Sequence, residues 1–192
     1  MIKVCVYCGS SSGKDPLYSE TAIEMGKTLV KHGLDLVYGG GNIGIMGIVA
    51  DSVLQSGGQA IGVIPQALAD KEIAHESLTE LHIATDMHER KCRMAELSDA
   101  FVGLPGGLGT LEEIFEIWTW AQLGFHKKPI ALLNTKGYYS RLLDFLDDSV
   151  EDGFVKAAHR HMMIVDSDPK ELVMQLKAYV PVVSDKLTGL NT

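Results

Sequence analysis

Residues 100–118 read AFVGLPGGLGTLEEIFEIW, and this stretch decides the fold class. The run 100–104 is short, apolar and closed by a Pro-Gly turn, the pattern of a buried strand. Leu111, Ile114, Phe115 and Trp118 then recur at helical spacing. The chain therefore passes from strand to helix across Pro105-Gly106-Gly107-Leu108-Gly109-Thr110. A buried strand feeding a helix is half of a βαβ unit.

The same alternation extends outward in both directions. Further strand candidates lie at 3–7, 34–38, 60–64, 80–84, 130–133 and 162–165, and helical patterns at 16–32, 44–56, 86–97, 110–123, 138–151 and 168–179. This predicts one α/β domain over residues 1–181, a doubly wound parallel sheet, followed by a tail at 182–192. Segment 65–79, PQALADKEIAHESLT, fits neither period and reads as an excursion over the surface or over a site. Ligands of such sheets bind where loops leave the carboxyl ends of the strands.

Composition narrows the function classes. The 192 residues are 46% hydrophobic and 22% charged, as in an ordinary globular domain. No apolar run approaches the roughly 20 residues of a membrane span. The opening MIKVCVYCGSSSG lacks signal-peptide anatomy and the cysteines number three, so a cytoplasmic location is expected. A net charge of −8 argues against polymeric nucleic acid but leaves room for a small phosphorylated ligand. Cys5 and Cys8 form a C-x-x-C on a strand, where positions three apart face opposite ways, so both read as packing residues.

Of the 20 glycines, nine fall in three strand-to-helix passages: Gly9-Ser10-Ser11-Ser12-Gly13, Gly39-Gly40-Gly41-Asn42-Ile43-Gly44, and the 105–110 loop. Glycine there lets backbone N–H groups approach an anion with a helix dipole behind them. Gly39, Gly41 and Gly44 match G-x-G-x-x-G, yet strand 60–64 ends in Pro65-Gln66 without the acid that would hold a dinucleotide ribose. No G-x-x-x-x-G-K-[ST] occurs either. Both absences favour a nucleoside monophosphate or sugar phosphate over NAD or ATP. His159-x-His161 lacks further ligands at metal spacing, so no metal is expected. Ser10 and Ser11 lack a nucleophile elbow and read as ligand-binding hydroxyls. Trp118 and Trp120 read as core or subunit interface.

Two charged residues break the apolar pattern. Met87, Arg90, Met94 and Leu97 share a helical face, so Arg90 stands where a hydrophobe belongs. It is either a snorkelling or ion-paired structural arginine, or a guanidinium aimed into a site. Glu113 follows Thr110 by three, the spacing of a capping box. It also shares a face with Ile117 and Trp120 on a helix that looks buried nearly all round. That would place its carboxylate in the crevice, suited to acid, base or ion-stabilising work.

Pro105-Gly106-Gly107-Leu108-Gly109-Thr110-Leu111-Glu112-Glu113 matches P-G-G-x-G-T-x-x-E, and the chain thereby resembles the LOG (LONELY GUY) family. Its members are cytokinin riboside 5′-monophosphate phosphoribohydrolases, many of them labelled possible lysine decarboxylases. Cys8-Gly9-Ser10-Ser11, Tyr38-Gly39-Gly40-Gly41, Met46-Gly47, Asp86-Met87-His88-Glu89-Arg90-Lys91 and Trp120-Ala121-Gln122-Leu123-Gly124 match as well, over residues 2–180. The resemblance implies a Rossmann-like fold, a homodimer and no cofactor. It implies hydrolysis of a purine nucleoside 5′-monophosphate, with AMP or an N6-prenylated AMP as substrate and free base and ribose 5-phosphate as products. Carried over, Arg90 and Glu113 are the catalytic pair, and Gly106, Gly107, Gly109 and Thr110 the phosphate loop. Glu72, Lys91 and Thr119 are further substrate contacts, and Gly9, Ser10, Gly40, Gly41, Met46, Met87, Leu108, Leu111 and Glu112 complete the expected binding set. Glycosidic cleavage builds positive charge on the ribose, which a carboxylate such as Glu113 would stabilise, or it would activate the attacking water. Decarboxylation through pyridoxal phosphate needs a Schiff-base lysine, and no lysine here has that setting. The alternative is a non-catalytic nucleotide binder or carrier on the same scaffold.

Overall fold

A computed structural model describes residues 3–71 and 74–181. Glu72 and the 182–192 tail lie outside the described residues. The strands are β1 (Lys3–Tyr7), β2 (Asp35–Tyr38), β3 (Ala60–Pro65), β4 (Glu80–Ala84), β5 (Ala100–Gly103), β6 (Ile130–Leu133) and β7 (Met163–Asp166). They form one sheet in the order β4-β3-β2-β1-β5-β6-β7, and every neighbouring pair is parallel. From β1 the chain works outward to β4, then returns to lay β5 on the other side of β1. The β1/β5 boundary is thus the switch point at which loops diverge and a crevice opens.

The helices are α1 (Pro16–Lys31), α2 (Gly44–Gln55), α3 (Gln66–Ala69), α4 (Met87–Leu97), α5 (Leu108–Gln122), α6 (Ser140–Glu151), α7 (Ala157–Arg160) and α8 (Pro169–Ala178). One face of the sheet packs Met25 and Leu29 of α1, Val49 and Val53 of α2, and Leu172 and Leu176 of α8. The other packs Met94 of α4, Ile114, Ile117 and Trp118 of α5, and Leu146 of α6. Along β1 the side chains alternate, with Val4 and Val6 on the first face and Cys5 and Tyr7 on the second. Among the described residues no helix is long and apolar enough to cross a membrane.

Segment 65–79 is the irregular part. α3 opens it, Ala74 bridges Gly41, and the His75 amide donates to the Gly40 carbonyl at 2.9 Å. It is therefore pinned across the second glycine loop rather than across open surface.

Cys5 and Cys8 face opposite sides of the sheet and both are buried. Burial pushes the Cys5 thiol up to about 12 and holds Cys8 well above the ordinary thiol range. A thiolate-selective reagent is expected to spare Cys5 and Cys8 in the native chain and to titrate all three thiols after denaturation. Two or more fast-reacting thiols in the native protein would contradict this packing.

Candidate active site

The loops after β1 and β5 touch at the switch point. The Gly9 amide donates to the Pro105 carbonyl at 3.3 Å, and a Cβ on Gly106 would fall 2.1 Å from the Thr110 hydroxyl and 2.8 Å from the Gly9 nitrogen. Only glycine at 106 allows that approach. The Met46 amide donates to the Gly9 carbonyl at 3.3 Å, which ties in the start of α2. Two adjoining hollows result, both bordered by Gly9, Ser10 and Gly107. The larger, about 390 Å³, reaches down to Arg90 and Glu113, with Met46, Leu68, Met87 and Met94 as apolar walls. The smaller, about 300 Å³, lies over Ser11, Ser12, Tyr18, Gly106 and Tyr138.

Arg90 is placed by the way α4 begins. Asp86 caps the helix by accepting the His88 and Glu89 amides at 2.8 and 2.9 Å, and the Glu89 carboxylate reaches back to the Thr85 amide at 2.7 Å. One position further on, the Arg90 side chain runs inward under β3. Its Nε donates to the Val63 carbonyl at 3.1 Å and its Nη1 to Glu113 Oε1 at 2.7 Å. Only 8% of Arg90 and 9% of Glu113 remain exposed. The arginine is an ion-paired residue that also lines the cleft. A buried ion pair contributes little net stability, because desolvation of both charges opposes their attraction. A pair kept beside glycine loops at a switch point is a candidate for chemistry.

The structure corrects the capping-box expectation for Glu113. α5 starts at Leu108, two residues before Thr110, and its N-cap is Gly107 with no side-chain cap. Thr110 already lies inside the helix, and the Glu113 carboxylate turns to Arg90 instead. Burial pushes the Glu113 carboxyl above the ordinary carboxylate range, and Arg90 partly offsets this. α5 is also less buried than expected, since Glu112 and Thr119 are exposed.

Gly39 was legible as part of a glycine loop, but its closest neighbour is Arg90. A Cβ on Gly39 would fall 2.4 Å from Nη2 of Arg90. Gly39→Ala is expected to push the guanidinium off Glu113, destabilising the fold by about 1–3 kcal/mol as overpacking does. Thermal melts and activity assays should fall together, and an alanine variant with wild-type values of both would show that the guanidinium has room to move.

Of the expected binding residues, Gly9, Ser10, Met46, Met87, Gly107, Leu108, Gly109, Thr110 and Glu112 line the larger hollow with Arg90 and Glu113. Gly106 lines the smaller one. Gly40 and Gly41 face the 65–79 segment, and Leu111 packs against the core. Lys91 is bound outside the cleft, its ammonium donating to Glu112 at 2.5 Å and to Glu116 at 3.1 Å. The Thr119 hydroxyl folds back onto the Phe115 carbonyl at 2.7 Å. Neither Lys91 nor Thr119 borders either hollow of this chain. Leu68 and Tyr138 are lining residues that motif reading missed. Leu68 sits in the irregular segment, and Tyr138 carries no local signal at all.

A family described as "Possible lysine decarboxylase" matches residues 46–176. Cytokinin riboside 5′-monophosphate phosphoribohydrolase LOG5 of Arabidopsis thaliana is 53% identical over 180 residues, covering 94% of this chain and 79% of its own length. The Arabidopsis enzyme LOG1 is 51% identical over 179 residues, covering 93% of this chain and 84% of its own. This chain belongs to the LOG family. The LOG chain also shares its fold with the molybdenum cofactor carrier protein of Chlamydomonas reinhardtii, at a TM-score of 0.69 and 22% identity over 93% of this chain and 99% of that one. Lysine decarboxylation, by contrast, is not supported by the lining of these hollows. Among the described residues lining either hollow there is no lysine. Burial lowers the Lys91 ammonium, but its bonds to Glu112 and Glu116 outweigh this and leave it above its ordinary range. The neutral amine that a Schiff base to pyridoxal phosphate requires is thus disfavoured.

Proposed function

We propose that this LOG chain hydrolyses the N-glycosidic bond of a purine nucleoside 5′-monophosphate, a cytokinin riboside or adenosine monophosphate, to free base and ribose 5-phosphate. The buried Arg90–Glu113 pair, set at the floor of a cleft between glycine loops, carries this reading. The activity of its Arabidopsis relatives supports it.

The phosphate docks on the backbone N–H groups at the start of α5, where the first-turn amides have no intrahelical acceptor and the helix dipole favours an anion. This anchors the ribose above Glu113 and converts binding energy into orientation. The purine lies among Met46, Leu68 and Met87. As the C1′–N9 bond breaks, its electron pair leaves with the purine, which takes up a proton from solvent, and positive charge spreads over the ribose ring. The Glu113 carboxylate faces that charge, and water adds to C1′ while its proton passes to the carboxylate or to solvent. Arg90 holds the carboxylate in place and in its ionised form. A carrier of the same fold would bind the nucleotide but has no need of a buried acid–arginine pair.

A second copy of the chain belongs to this reading. Phe125 is 72% exposed beside the half-buried Trp120, an aromatic pair of the kind subunits cover, at a hollow bordered by Glu96 and Lys128. Light scattering of the purified protein should give twice the chain mass.

A substrate panel tests the activity. AMP and N6-prenylated AMP should release base, whereas adenosine and the prenylated riboside should react at least about 100-fold more slowly because they lack the positioning phosphate. Equal rates with and without the phosphate, or no base from any purine monophosphate, would refute it.

A further inference from the structure

Two adjacent tyrosines hold carbonyls of the loop that receives the phosphate. Tyr139, buried between the sheet and α6, donates its hydroxyl to the Leu104 carbonyl at 2.6 Å. Tyr138 donates its own to the Gly106 carbonyl, also at 2.6 Å. Between them the Pro105 carbonyl accepts the Gly9 amide, and the Gly107 carbonyl accepts the Leu111 amide at 3.1 Å. Four successive carbonyls, 104 to 107, therefore have protein partners. In a trans peptide the C=O and the following N–H point in opposite directions. Fixing the Gly106 oxygen thus fixes the direction of the Gly107 N–H, and fixing the Pro105 oxygen does the same for the Gly106 N–H.

The tyrosines are themselves held firmly. After β6 the Asn134 side chain accepts the Tyr139 amide at 2.7 Å and donates to the Ser140 hydroxyl at 3.2 Å. Lys136 adopts a left-handed backbone, φ 55°, and its ammonium pairs with Asp15, the residue that caps α1. The Tyr138 ring packs edge-on against Tyr18 at 5.7 Å and against Tyr139 at 4.9 Å. Burial raises the Tyr139 hydroxyl far above its ordinary range, so it stays a donor.

We infer that Tyr138 is a positioning residue for the substrate's phosphate: through the Gly106 carbonyl it sets the Gly107 amide that receives the anion. This rests on the nucleotide reading proposed above. Tyr138 acts on the phosphate end alone, so its loss separates phosphate recognition from base recognition. Calorimetry of the full-length protein with ribose 5-phosphate and, separately, with adenine is the test, alongside steady-state kinetics on AMP. Tyr138→Phe keeps the ring and its edge contacts. It should weaken ribose 5-phosphate by about 3- to 10-fold, the worth of one hydrogen bond, leave adenine unchanged, and raise KM more than it lowers kcat. Ribose 5-phosphate affinity unchanged in the variant overturns the inference alone, as does equal weakening of both ligands. Wild-type protein that binds no ribose 5-phosphate overturns it together with the nucleotide reading.

Discussion

Replacing Glu113 by glutamine is expected to lower base release by about 100- to 10,000-fold, the range of a positioned acid–base group. Nucleotide affinity should change only a few-fold. Glutamine is nearly isosteric and keeps an oxygen to accept the Arg90 Nη1 proton now bonded at 2.7 Å. It loses only the negative charge that would face the developing oxocarbenium ion. Because that charge acts in a buried setting, it is worth more than it would be in water. The measurements are kcat on AMP and the dissociation constant of an uncleaved nucleotide. Undiminished turnover in Glu113→Gln would reduce Glu113 to an internal ion-pair partner.

Arg90→Met has the second large effect, and it falls on stability as well as on rate. Methionine fills much of the volume but leaves the Glu113 carboxylate buried without its partner, which costs about 3–5 kcal/mol when one half of a buried pair is removed. The pH dependence has a definite sign. The Glu113 carboxyl is already raised by burial, with Arg90 opposing the rise, so losing Arg90 raises it further. A folded-state carboxyl above its unfolded value costs stability at high pH, and the cost disappears as pH falls through the folded value. The difference in Tm between wild type and Arg90→Met should therefore shrink on acidification. The acid limb of residual activity should move to higher pH, since the ionised carboxylate is the working form. A pH-independent Tm difference and an unmoved limb would show that Arg90 does not control Glu113.

The fold was largely legible because a parallel sheet buried on both faces leaves short apolar runs between helical periods, as 100–104 and 130–133 do. Arg90 and Glu113 were each legible as charges on apolar helical faces. Their partnership came only from the family resemblance and not from pattern, because 23 residues separate them and no local period links positions on different helices. Thr110 misled the start of α5, since a threonine three residues before a glutamate resembles a cap, whereas Gly107 ends the loop with backbone alone. Gly39 showed as a loop glycine, but its steric reason is a guanidinium from the distant α4. Lys91 closes a matched motif and Thr119 stands just before one, yet neither borders either hollow: they bond to Glu112, Glu116 and the Phe115 carbonyl. Tyr138 reaches Gly106 across 32 residues, a contact only the assembled sheet creates.

The central claim is the bond that breaks. Incubating the protein with N6-prenylated AMP and quantifying all products in the same quenched samples tests it most directly. The account predicts free base and ribose 5-phosphate rising together in equal amounts, with no inorganic phosphate. Release of phosphate with the intact riboside, or unchanged nucleotide that nonetheless binds, would contradict it.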